Sequence, residues 1–372
     1  MRVVKSLLFI LFINIPIVGW TNNLFLENVS IVDIDTNNNT ASIEFDISWD
    51  NSWRAINDAQ TDHSETNWDA AWVFAKYRVS SGDWNHCTLA TSGHSAPTGS
   101  TIENPSASTD NRQTGVFIYR NATGSGSNNW DNVKIKWNYG SDDVEDNDSV
   151  EIRVFGIEMC FVPEGSYYLG DGVSLKKTFE GTDNNPVLIN TSEKTVRQDG
   201  IDTFSGDSTL VSGIKVDGDG GICTTGTGAI DNPDYPTGYN AFYCMKYEIT
   251  QEQYVDFLNT ITSSQASAHY RTGSYRHTIS GIHPNFTCTR PDRACNYIFL
   301  VDGMAYLDWA GLRPMTELEY EKACRGTLSV VAGEYAWGTT GIVSDGSLTI
   351  SGTEDGTETI TIDVSSGACV YG

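Results

Sequence analysis

From Ser42 to Trp49 the chain alternates polar and apolar side chains without a break: Ser42-Ile43-Glu44-Phe45-Asp46-Ile47-Ser48-Trp49. A period of two places Ile43, Phe45, Ile47 and Trp49 on one side of a half-buried strand. Val133, Ile135, Trp137 and Tyr139 repeat the pattern, as do Val150, Ile152 and Val154. Residues 29–34, 71–79 and 116–120 are further strand candidates, and turn-forming clusters at 35–39, 80–83 and 121–129 punctuate them. Short strands at this spacing predict an all-β sandwich of immunoglobulin or fibronectin type over residues 21–155. Of its tryptophans, Trp49, Trp72 and Trp137 sit on apolar strand faces and read as core. Trp53, Trp68, Trp84 and Trp130 lie among polar residues and are the candidates for a surface role, such as stacking on a sugar ring.

Past residue 155 the pattern changes, and residues 156–372 read as a second, α+β and loop-rich domain. Glu158-Met159-Cys160-Phe161-Val162-Pro163-Glu164-Gly165-Ser166-Tyr167 runs as a strand into a Pro-x-Gly turn and a second strand ending on Gly170. Residues 171–238 are polar and rich in Gly, Asp and Thr, a long insertion without periodicity. Three helices follow. Thr250 and Gln253 form a capping box ahead of 251–261, which aligns Tyr254, Phe257, Leu258 and Ile261 on one face. Residues 302–310 gather Tyr306, Trp309 and Ala310 on one side and stop at Gly311. Thr316 and Glu319 cap a third helix that ends at Gly326 after Arg325. Glu317, Glu319 and Glu321 suggest acid–base chemistry at first sight. Capping and compensation of the helix dipole explain them more simply, with Arg313 and Arg325 as partners.

At 372 residues, 39 % hydrophobic and 19 % charged, the chain has material for two packed cores. A formal net charge of −25 disfavours nucleic acid and anionic lipid surfaces as partners. Arg2 and Lys5 precede an apolar run from Leu7 to Val18 and a small residue, Gly19. That run is too short to span a bilayer, so residues 1–20 read as a signal peptide, and no transmembrane helix is expected in the mature chain. The protein is then periplasmic, on the cell surface or secreted. Eight cysteines in an exported chain permit disulfides, and Cys288 with Cys295, flanking a turn that contains Pro291, are the candidate pair. The spacing shows no transition-metal site. Asp217-Gly218-Asp219-Gly220 has the carboxylate spacing of a fragmentary calcium loop without its later ligands, which makes Asp217 and Asp219 weak calcium candidates and a plain turn the better account.

Several of these segments together resemble the sulfatase-modifying-factor, or formylglycine-generating-enzyme-like, family. The strand from Glu158 to Gly170 is similar to the one that opens the domain. Phe242-Tyr243-Cys244-Met245-Lys246-Tyr247-Glu248-Ile249-Thr250 with Tyr254 resembles its next strand and first helix. Tyr306-Leu307-Asp308-Trp309-Ala310-Gly311-Leu312-Arg313-Pro314-Met315-Thr316-Glu317-Leu318-Glu319-Tyr320 through Arg325 matches its most recognisable stretch, and Tyr335-Ala336-Trp337-Gly338 the turn that follows. Two departures stand out: Pro314-Met315 replaces the family's usual Leu-Pro, and Tyr320 stands where Trp is common.

The resemblance implies a C-type-lectin-like fold in which Glu248, Thr250, Tyr254, Trp309, Arg313, Thr316, Glu317, Glu319, Arg325 and Trp337 are motif residues with structural roles. It also implies an activity, the copper- and oxygen-dependent oxidation of a substrate cysteine to formylglycine in sulfatases. In the family that chemistry rests on a cysteine pair near the domain's C-terminus, which has no counterpart up to Gly372; the family's calcium-binding segment is also missing. Cys288-Thr289-Arg290-Pro291-Asp292-Arg293 is not the sulfatase substrate motif, because its Pro and Arg each fall one place late. The expected function is therefore an exported, non-catalytic protein that binds a glycan or protein ligand, with no catalytic residue and no evident cofactor. The alternative is a formylglycine-generating oxidase whose catalytic segment, and with it copper, lies beyond this chain. Calcium stays open.

Overall fold

The structure is a computed structural model that describes residues 24–56, 66–105, 113–170, 178–180, 186–190, 215–217, 236–333, 340–342, 349–352, 359–361 and 366–367. The signal peptide expected at 1–20, Asp219 and Trp337 lie outside the described residues. The architecture is mostly antiparallel sheet with few helices. Two compact units divide the chain, Met1–Phe161 with Met245–Pro314, and Val162–Cys244 with Met315–Gly372. The boundary expected at 155/156 falls inside a continuous strand. The first two of the three expected helices belong to the first unit and the third to the second.

In the first unit, β1 (Phe25–Asp35), β2 (Thr40–Ala55) and β7 (Gly124–Trp137) form one sheet. The other is built on β3 (Asn67–Val79), which pairs with β4 (Asn85–His86), β6 (Gly115–Arg120) and β8 (Val150–Val162); β5 (Ser100–Glu103) lies beyond β6. A corner at Arg54↔Trp68 and Ala55↔Asn67 joins the two sheets. Ile43, Phe45, Ile47 and Trp49 of β2 share one core with Ala71, Val73 and Ala75 of β3 and with Val133, Ile135 and Trp137 of β7. This is the face that strict alternation predicts. Trp68 and Trp130 correct the expectation of a surface role, since both are buried. Trp130 meets Trp49 edge-on at 5.3 Å, and Trp68 stacks on Phe161 at 3.9 Å.

Strand β3 is buried on both faces from Trp68 to Tyr77. Its outer side chains carry a helical layer made of α1 (Gln251–Asn259), α2 (Ser263–His269) and α3 (Leu300–Trp309). Trp72 Nε1 donates to the Ala310 carbonyl at 2.8 Å, and Phe74 meets Trp309 edge-on at 5.1 Å. The indole of Trp72 reaches that position by lying across Gly115, where a Cβ would stand 2.5 Å from Cζ2. Gly311, at φ +69°, ends α3 as the sequence predicts. Helix α2 was not anticipated, although Thr262 and Gln265 spell the same capping box as Thr250 and Gln253.

A buried charge cluster locks the sheet corner. Asp69, fully buried, accepts from Trp49 Nε1 (2.9 Å), Ser52 Oγ (2.6 Å), the Trp53 amide (3.1 Å) and Lys246 Nζ (3.1 Å). Lys246 also reaches Glu158 at 3.2 Å and lies over the Trp53 ring. Every lone pair of Asp69 has work, so this is a structural carboxylate.

The second unit contains β9 (Tyr167–Leu169), β10 (Thr178–Glu180), β11 (Val187–Ile189), β12 (Lys215–Asp217), all but the last residue of β13 (Phe242–Met245), α4 (Glu317–Arg325) and the short strands β14 (Gly341–Ile342), β15 (Thr349–Ser351), β16 (Thr359–Thr361) and β17 (Ser366–Gly367). Helix α4 is held by polar contacts. Lys322, 1 % exposed, donates to the carbonyls of Pro163 (2.7 Å), Gly238 (2.6 Å) and Tyr239 (3.3 Å). The Tyr167 hydroxyl donates to Thr237 O and Leu318 O, while Glu321 accepts from the Gly170 amide.

Replacing Asp69 by Ala removes one of the two carboxylates that hold Lys246 and strands three further donors. We expect a loss of about 3–5 kcal/mol in urea unfolding, whereas Asp33→Ala, at an exposed pair with Lys134, leaves the midpoint unchanged. Lys322→Met orphans carbonyls and is expected to cost about 3 kcal/mol, read as faster hydrogen exchange at the Gly165 amide, which bonds Tyr239 O.

Candidate functional site

The first unit has a cleft of about 290 Å³ between the helical layer and the outer side of β8. Its floor is β8 from Arg153 to Glu158, its rim the start of β1, and its far wall α1, α3 and the Pro291–Asp292 turn. Gly156 admits the rim: a Cβ there would stand 2.7 Å from Leu26 Cδ1 and 3.0 Å from Leu24 Cδ2. Aromatic rings line the interior, among them Phe74, Phe155, Tyr306 and Trp309. Trp309 is fixed by its Nε1 bond to Thr260 Oγ1 at 2.9 Å and by edge contacts with Phe74, Phe155 and Phe257.

Helix α1 supplies much of the polar chemistry. Its capping box is complete, with Thr250 Oγ1 accepting from the Gln253 amide and Gln253 Oε1 accepting from the Thr250 amide. Its next free donors, the amides of Gln251 and Glu252, bond the carbonyls of Arg293 and Pro291, which fastens the 290–295 loop against the helix start. That fastening sets Asp292 beside Glu252. One turn further along α1 stands Asp256, four residues from Glu252 and therefore on the same helix face.

The electrostatics of this face are unusual. Burial, then the charge of Glu252, lifts Asp256 from 3.8 to about 7 against the opposing pull of Arg153. Burial and the charge of Asp292 also raise Glu252. The Tyr306 hydroxyl is buried without any hydrogen-bond partner, and burial raises its pKa. Six carboxylates line the cleft (Glu27, Glu158, Glu248, Glu252, Asp256 and Asp292) against one guanidinium, Arg153. Among the described residues no group of three His, Cys, Asp or Glu is placed to hold a metal ion.

The motif residues divide between the units. Glu248, Thr250 and Trp309 line the cleft, with Tyr254 buried beneath it and bonded to His269 O at 2.8 Å. Arg313 is exposed and donates to Pro314 O. Thr316, Glu317, Glu319 and Arg325 belong to the second unit: Thr316 and Glu319 close the α4 capping box, and Arg325 pairs with Glu321 at 2.8 Å. Asp217 ends β12. Cys288 and Cys295 are free thiols rather than the expected disulfide, and main-chain bonds to the start of α1 close the loop in its place. Burial pushes both thiols up to about 12.

Residues 212–355 match the model of the sulfatase-modifying factor enzyme 1-like domain. The match supports the family read from the motifs, and it covers the α1, α3 and Asp292 walls of the cleft but not β1 or β8. No curated protein and no solved structure matches the chain.

Since the folded chain holds the Asp256 proton more tightly than the unfolded one, Asp256 removes stability progressively between its ordinary value and about pH 7. Asp256→Asn is expected to raise stability by about 1–3 kcal/mol at pH 8, after discount for its partial exposure, and by little at pH 4. Thermal melts at the two pH values check this.

Proposed function

We propose that this is an exported surface or secreted protein whose sulfatase-modifying-factor-like domain binds a glycan or protein ligand and performs no catalysis. In this reading the two facing sheets are an immunoglobulin- or fibronectin-like module, and the helical region with the second unit derives from a C-type-lectin-like fold. The cleft is the ligand site.

The observation that carries the reading is the lining of the cleft, with the state of the described thiols beside it. Cysteine chemistry with copper needs thiolates, since the thiolate is both the nucleophile and the metal ligand. Cys87, Cys244, Cys288, Cys295 and Cys324 are all pushed the other way, chiefly by burial. No cysteine is among the described residues of the cleft. What lines it is aromatic surface and hydrogen-bonding groups, with Tyr247 close to half exposed at its edge. Aromatic faces flanked by a few polar groups suit ligand recognition.

Glycan arrays and capture of extracellular protein with the full chain test the proposal. We expect specific retention that falls about tenfold in Tyr247→Ala, the loss of one edge contact. Copper-dependent oxygen consumption on a Cys-x-Pro-x-Arg peptide would overturn it.

A further inference from the structure

We propose that the cleft takes a primary ammonium group carried on an aliphatic chain, seated between Glu252, Asp256 and Asp292 and the Tyr306 hydroxyl. The proposal rests on the cleft being the ligand site and names the chemistry of what enters it.

Three observations converge. The first is negative charge that its surroundings compensate only in part. Glu252 and Asp256 stand one helical turn apart on α1, a like-charge spacing that costs stability, and Asp292 adds a third carboxylate from the facing loop. The cation among the described lining residues, Arg153, offsets this charge only in part: its guanidinium also lies 3.7 Å from Glu151 and 4.7 Å over the Trp84 ring. The other groups that face this trio, Glu27, Glu158 and Glu248, are also acidic, and Glu158 already holds Lys246.

The second is the Tyr306 hydroxyl. Tyr306 lines the cleft, is 1 % exposed, and has no hydrogen-bond partner for its oxygen. A buried hydroxyl left unpaired is costly, and a ligand carrying N–H donors relieves it. A quaternary ammonium has no such donors to offer. The third is shape and lining. A cavity of about 290 Å³ with Phe74, Phe155 and Trp309 in its walls has room for a short methylene chain beside rings that attract a cation.

Binding is coupled to protons. Below neutral pH, Asp256 keeps its proton and the site is less negative; an ammonium ion favours the ionised form and displaces that proton. Affinity therefore rises as pH passes upward through about 7.

Isothermal titration of the full chain with 1,4-diaminobutane and, separately, with a lysine side chain as Nα-acetyl-lysine amide distinguishes a free amine from a protein-borne one. Tetramethylammonium is the control cation. We expect saturable binding of at least one primary amine, about tenfold tighter at pH 8 than at pH 6 with proton release. Asp256→Asn should abolish the pH dependence, Tyr306→Phe should weaken binding about fivefold, and Asp33→Asn, at an exposed pair with Lys134 outside the cleft lining, should change nothing. Neither amine binding, or tetramethylammonium binding as well as both, overturns the inference. So does equal affinity in the wild type and Asp256→Asn. If glycan or protein capture persists while the amines fail, the ammonium inference falls and the binding function stands. If amines bind while capture fails, the reverse holds.

Discussion

The burial of β3 on both of its faces is the constraint on which the first unit depends. A strand at the surface of a two-sheet core needs one apolar side and presents the other to water. Here Ala71, Val73 and Ala75 serve the core between the sheets, while Trp72 and Phe74 serve the helical layer. The uninterrupted apolar stretch from Ala70 to Ala75 is the chemical signature of that double duty. Because the helices rest on this strand, the outer side of the neighbouring β8 becomes a wall facing α1 and α3, and the cleft is the space left between them.

Carboxylates in this unit fall into two kinds, and the difference is hydrogen bonding. Asp69 lies deep, yet its oxygens are met by two tryptophan residues, a serine and a lysine, so its burial holds the sheet corner together. Asp302 is similar, bonded to Arg271, His269 and the Phe299 amide at the start of α3. Asp256 and Glu252 face each other's charge with little compensation. These two carboxylates, like the unpartnered Tyr306 hydroxyl, differ from Asp69 and Asp302 in lacking such hydrogen bonds.

In the second unit, α4 is held chiefly by polar side chains. The caps, Lys322 and the Glu321–Arg325 pair anchor α4 to the chain around Pro163, Tyr168–Gly170 and Gly238–Tyr239 through backbone carbonyls and amides. Irregular chain exposes unpaired peptide groups, and a helix carrying long polar side chains satisfies several of them at once. This gives the charge of α4 a structural use.

The sequence by itself determined whatever depends on near neighbours. The alternation of β2, the capping boxes at Thr250 and Thr316, the stop at Gly311 and the buried faces of Tyr254, Phe257 and Trp309 follow from periods of two and 3.6 and from peptide groups a few residues away. The α2 box was equally legible. Only the tertiary structure decided the rest. The burial of Trp68 and Trp130, whose sequence neighbours are polar, depends on strands paired from elsewhere. The cleft draws its walls from β1, β8, α1 and α3, segments up to some 280 residues apart in the chain (Leu24 to Trp309). The proton held by Asp256 and the unpaired Tyr306 hydroxyl are consequences of that enclosure. Desolvation and through-space charge depend on distance in space, and no local pattern of residues records it.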